Sequence, residues 1–168
     1  RTQQKLEADV REAIERNEFV AVFQPRMRLE TGELVGAEAL ARWRRPDGAV
    51  VSPGVFVPIA EELGLIGRLG RSVMRDACIA AAGWNKKGVA ASIAVNVSPY
   101  QFDEPDFIQS VYQVLDESGL DPELLELEIT ESAAVSDPDR VARIMWPLRN
   151  RGVRLAIDDF GTGHSNFA

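Results

Sequence analysis

The chain has 168 residues, 45% of them hydrophobic and 27% charged, a composition that suits one globular domain with a sizeable core. Its net charge of −7 argues against DNA or RNA held on a basic face, so an anionic ligand would need local cations or a metal. A single cysteine excludes an intrachain disulfide, and no run approaches the roughly 18 to 20 apolar residues of a membrane span. A cytoplasmic location is the simplest reading; the start at Arg1 rather than methionine points to a longer parent, which other segments could anchor in a membrane.

Residues 3 to 17 place Leu6, Val10, Ala13 and Ile14 at helical spacing, and residues 1–18 are read as a helix or linker leading in from an upstream domain. Residues 19 to 25 and 33 to 43 read as strands of a hairpin turning at Thr31-Gly32. From Ser52-Pro53 the pattern is helical in two pieces, Phe56 to Leu65 and Leu69 to Trp84, with Gly64, Gly67 and Gly70 read as the break between them. A strand around residue 95, a helix from about Asp106 to Gly119, a strand around 127, a helix near 138 to 150 and a strand around 156 complete the series. Strands recurring about every 30 residues with a helix in each gap predict βα units and a parallel sheet. Pro147 falls inside the last helix, where its missing N–H predicts a kink.

Side chains alternate along a strand, so Ile93, Val95 and Val97 oppose Ala94 and Asn96; Leu125, Leu127 and Ile129 oppose Glu126, Glu128 and Thr130; and Val153, Leu155 and Ile157 oppose Ala156 and Asp158. Glu38 and Arg42 share a face of the second hairpin strand. In a barrel the bulky face packs on helices and the polar face points inward, toward the mouth at the C-terminal strand ends. Carboxylates gathered there repel one another, and a divalent cation relieves the repulsion; all-oxygen donors favour Mg²⁺ or Mn²⁺ over zinc.

The segments FQP, GAEALARWRRPDG, SPGVFVPIAEELGLI, AVNVSP, LELEITES and RLAIDDFGTG, in that order, resemble the EAL family of bacterial cyclic di-GMP phosphodiesterases over residues 19–168. The resemblance implies an α/β fold, a modified TIM (β/α) barrel with its first strand antiparallel, here incomplete at about five of eight strands. It implies metal ligation by Glu38, Asn96, Glu128 and Asp158, with Asp159 serving a second ion; substrate contacts from Gln24 and Arg42; and Glu131 steadying the loop from Asp158 to Gly163. Glu38, Asp158, Asp159 and Glu131 are accordingly the expected catalytic set. The implied chemistry is hydrolysis of cyclic di-GMP to the linear dinucleotide with two Mg²⁺ or Mn²⁺ ions. Pairing of two copies through the same loop and an upstream sensory or GGDEF-type domain are implied partners. The family's later lysine, further glutamate and glutamine are not found in this sequence, and a barrel of about 250 residues is the norm, so the 168-residue piece by itself is expected to be inactive.

Two other functions fit parts of the pattern. One is a catalytically silent EAL domain that binds cyclic di-GMP or protein partners as a receptor or scaffold; the other is a metal-free glycosidase using two carboxylates. Glu126 shares the face of Glu128 but reads equally well as a paired structural carboxylate, His164 as a loop residue and Cys78 as a buried helix residue. The GTG at 161 to 163 lacks a Walker lysine, and DFG at 159 to 161 lacks the other kinase signatures. Arg26-Met27-Arg28 after FQP departs from the family's more usual apolar pair and carries no assigned role.

Overall fold

A computed structural model describes residues 2–158. Thr2 caps α1 (Gln3–Glu15), its Oγ1 accepting the Lys5 N–H at 3.4 Å, and the helix buries Val10, Ala13 and Ile14. The strands β1 (Phe19–Met27) and β2 (Leu34–Arg44) form the expected antiparallel hairpin. Its turn is closed by Gly32, at φ 69°, whose N–H donates to the Arg28 carbonyl at 2.7 Å. A two-residue strand, β3 (Val50–Val51), folds back on β2.

Ser52 caps α2 (Pro53–Glu62), with Pro53 at the first helical position where its missing N–H is harmless. The break before α3 (Ile66–Lys86) is at Gly64 alone; Gly67 and Gly70 lie inside α3, contrary to the sequence expectation. Their lack of a side chain serves packing instead. A Cβ at Gly67 would come within 1.9 Å of the Glu104 carboxylate, and one at Gly70 within 2.5 Å of the Gln101 amide.

The second half follows as β4 (Ser92–Asn96), α4 (Pro99–Phe102), α5 (Phe107–Ser118), β5 (Leu125–Ile129), α6 (Glu131–Ser136), α7 (Pro138–Asn150) and β6 (Arg154–Ile157). Gly119 ends α5 in the left-handed conformation that glycine adopts without strain. The short α4 and α6 escaped the periodicity reading because one turn or so of helix contains too few apolar repeats. α7 continues through Pro147 and reaches Asn150.

The main sheet runs β1-β2-β4-β5-β6, with β1 antiparallel to β2 and the remaining neighbours parallel. Ile93, Val95, Leu125, Leu127 and Ile129 are buried in one cluster with Met74, Ala77 and Cys78 of α3 and Val111, Val114 and Leu115 of α5. Burying each large aliphatic side chain contributes about 1.5–3 kcal/mol, so this apolar face commits the opposite face of every strand to the barrel interior. A second cluster packs α1 and α2 on the base of the hairpin through Phe19, Trp43 and Phe56. The sheet does not close among the described residues, and at the β6 side Trp146 and Ile157 remain exposed.

Candidate functional site

Strand register, rather than proximity in sequence, assembles the site. Gln24 of β1 is directly opposite Glu38 of β2, and directly opposed residues share one face of a sheet. Glu38 neighbours Ala94 of β4; two residues on, Asn96 neighbours Glu128 of β5, which in turn neighbours Ala156 of β6. Asp158 follows the end of β6, its backbone N–H donating to the Ile129 carbonyl at 2.7 Å.

Within this interior face, the Asn96 amide donates from Nδ2 to Glu38 Oε1 at 3.5 Å. The Glu38 and Glu128 side chains are only 14% and 5% exposed, so two carboxylates share a space with little water to screen them. Burial, followed by the negative charge of Glu128 and hydrogen bonding to it, pushes the Glu38 carboxyl up to about 7 against the opposing effects of Arg26 and Asn96. A carboxyl raised this far at a converging polar face marks a site that a cation would relieve.

A cation does stand there, and it is an arginine. Arg26 lies two residues beyond Gln24 and therefore on the same face of β1. Its Nη1 donates to Glu126 Oε2 at 3.1 Å, its Nη2 donates to Glu128 Oε1, and the same Nη2 is 3.8 Å from Glu38 Oε1. Among the described residues no group of three or more Asp, Glu, His or Cys side chains is gathered as a metal cluster. The carboxylates of Glu38 and Glu128 nevertheless already lie around a positive charge, and with the amide oxygen of the neighbouring Asn96 they offer all-oxygen donors of the kind that suits a hard divalent ion.

The turn after Asn96 is fixed from two sides. Ser98, 1% exposed, accepts the Tyr100 N–H on its Oγ at 3.3 Å and donates to Glu61 Oε2 of α2 at 3.2 Å. This anchors the end of β4 to the helical layer and limits how far Asn96 can move.

A sequence model of the EAL domain matches residues 7–168. The chain belongs to the EAL domain family. It is 45% identical over 168 residues to a signaling protein of Caulobacter vibrioides, covering 100% of this chain and 20% of that protein. It is 41% identical over 165 residues to the bifunctional diguanylate cyclase/cyclic di-GMP phosphodiesterase MucR of Pseudomonas aeruginosa, covering 98% of this chain and 24% of MucR. The chain thus spans about a fifth to a quarter of the length of these curated relatives. The solved structure of the MucR phosphodiesterase in complex with c-di-GMP superposes with a TM-score of 0.89 at 40% identity, over 96% of this chain and 66% of that one.

In this EAL domain the sequence-chosen residues fall into three groups. Gln24, Glu38, Asn96 and Glu128 meet on the interior face by register. Arg42 shares that face, four residues beyond Glu38, with its Nη1 donating to the Ala41 carbonyl at 2.8 Å. Glu131 opens α6 directly after the helix-capping Thr130, whose Oγ1 accepts the Ala133 N–H at 3.2 Å. Asp159, His164 and the loop from 159 to 163 lie outside the described residues. The residue that sequence reasoning left without a role is Arg26; its alternation with Gln24 was the available signal. Glu126 takes the structural reading as the outer partner of Arg26.

Proposed function

We propose that this EAL domain takes part in metal-dependent hydrolysis of cyclic di-GMP to the linear dinucleotide. The observation that carries this reading is the meeting on the sheet's interior face of Asn96 with its register partner Glu128 and with Glu38, two residues lower, in a chain similar to a phosphodiesterase solved with c-di-GMP. Glu38, Asn96, Glu128 and Asp158 would hold a Mg²⁺ or Mn²⁺ ion, and Asp159 a second. When bound, such ions supply Lewis acidity that screens the phosphodiester charge and eases deprotonation of the attacking water.

The chain's own residues supply binding and orientation. Arg42 carries a planar guanidinium on the Glu38 face, suited to bidentate contact with a phosphate oxygen pair. Gln24, opposite Glu38, offers an amide to the same ligand. Asn96 donates to Oε1 of Glu38 and so orients that carboxylate on the interior face. Glu131, at the start of α6, would steady the loop that follows β6. A GGDEF-type or sensory domain preceding α1 and pairing of two copies through the loop at 158–163 belong to the same reading.

A second reading is favoured by one observation. The Arg26 guanidinium already lies against Glu128 and near Glu38, which suits a domain that binds cyclic di-GMP as a receptor without loading metal. Hydrolysis assays of the full-length protein separate the two. Turnover that EDTA abolishes and Mn²⁺ or Mg²⁺ restores, and that Glu38→Ala lowers by orders of magnitude without unfolding the protein, supports the phosphodiesterase. Binding of cyclic di-GMP with no turnover at any metal concentration overturns it in favour of the receptor.

A further inference from the structure

We propose that Arg26 is a tethered cation that competes with the divalent ion for Glu38 and Glu128 and thereby sets how tightly this site loads metal. The inference rests on the metal-dependent reading above and goes beyond it, to a residue that the ligand set does not include.

Three features of the geometry carry it. First, one guanidinium nitrogen, Nη2, serves both carboxylates: it donates to Glu128 Oε1 and lies 3.8 Å from Glu38 Oε1. The same Glu38 oxygen also accepts from Asn96 at 3.5 Å. A divalent ion held by both side chains needs the Glu128 lone pair that this nitrogen occupies and the space that it fills beside Glu38, at the separation of about 2.0–2.1 Å typical of Mg²⁺. Second, the fork has a separate anchor. Nη1 is held by Glu126 Oε2 at 3.1 Å, so the guanidinium keeps a partner when Nη2 is displaced. Third, the approach leaves the mouth open. Arg26 pairs across the hairpin with Gly36, two residues before Glu38 along β2, so its side chain rises from the side opposite the C-terminal strand ends where ligands enter.

Electrostatics fixes the sign. A guanidinium neutralises the carboxylates in the absence of metal and repels a divalent ion in its presence, so removing it weakens the metal-free site and strengthens loading. A residue that merely propped up the ligands would do the reverse, because disordered ligands bind metal less tightly.

The test uses the full-length protein, stripped with EDTA, dialysed and titrated with Mn²⁺ by calorimetry. Arg26→Met, which keeps the length without the charge, is expected to bind Mn²⁺ about 10- to 100-fold more tightly than the parent, the range over which outer partners alter metal affinity. Arg26→Lys, which keeps the charge but not the fork, should fall between them. The domain's melting midpoint should drop in metal-free Arg26→Met and recover at saturating Mn²⁺. Should Arg26→Met not fold, Arg26→Gln provides the same neutral comparison. If the parent binds Mn²⁺ and the neutral variants bind it no more tightly, or lose equal stability with and without metal, the competitor role is refuted. If neither the parent nor the neutral variants bind Mn²⁺, the metal-dependent reading falls together with it.

Discussion

Replacing Glu38 by glutamine keeps the side chain's size and its ability to accept from Asn96 while removing the charge that the buried face resists. In the metal-free protein the Glu38 carboxyl is pushed from its usual 4.5 up to about 7, first by burial and next by Glu128. That displacement corresponds to roughly 3 kcal/mol of preference for the protonated form. Solvent screening reduces the measurable part to about 1–2 kcal/mol, the opposing effect of Arg26 being already contained in the shift. Because the folded protein holds this proton more tightly than the unfolded chain, the stability linked to Glu38 is fully present below about pH 4.5 and is lost as pH rises through about 7. Glu38→Gln never ionises and escapes that loss. In EDTA, urea unfolding of a protein spanning the whole domain should therefore show parent and variant nearly equal at pH 5. At pH 8 the variant should be more stable by about 1–2 kcal/mol, and the pH dependence of the difference cancels titrations elsewhere. A variant no more stable than the parent at pH 8, or an equal gain at both pH values, would refute the reasoning. The same substitution should abolish metal loading, so the residue most favourable for function is a liability to the empty fold.

Two further outcomes follow from the packing. Gly36→Ala places a Cβ 2.8 Å from the Ser92 backbone carbonyl, which cannot swing aside, so β2 and β4 must separate beside the Glu38–Asn96 contact. A loss of about 1–3 kcal/mol is expected in denaturant melts, as for other overpacked sites; unchanged stability would show that the strands yield freely. Cys78 is fully buried and its thiol is pushed up to about 12 by desolvation, so in native protein at pH 8 it should resist Ellman's reagent and react only once denaturant is added. Prompt labelling without denaturant would contradict the burial.

Much of the fold was legible because burial writes itself into alternation. The apolar sets Ile93-Val95-Val97 and Leu125-Leu127-Ile129 assigned one face of each strand to the helices, and so placed Asn96 and Glu128 on the other. Gly67 and Gly70 were misread because a glycine that breaks a helix and a glycine that admits a neighbouring side chain look identical in sequence; only the positions of Glu104 and Gln101 tell them apart. Arg26 was visible as unusual and in phase with Gln24, but a long flexible side chain can reach many partners from one Cα.

The sequence by itself determined which side of each strand carries chemistry, since a strand's period of two leaves no freedom once the apolar face must be buried. It also carried the EAL motifs that Glu38, Asn96, Glu128 and Asp158 belong to. What only the tertiary structure decided is how those side chains meet. Register between β2, β4 and β5 sets the Glu38–Asn96–Glu128 contacts, and the antiparallel course of β1 delivers Arg26 beneath them. Electrostatic coupling depends on separations of a few ångströms between residues about 100 positions apart, and such separations exist only after the sheet has formed.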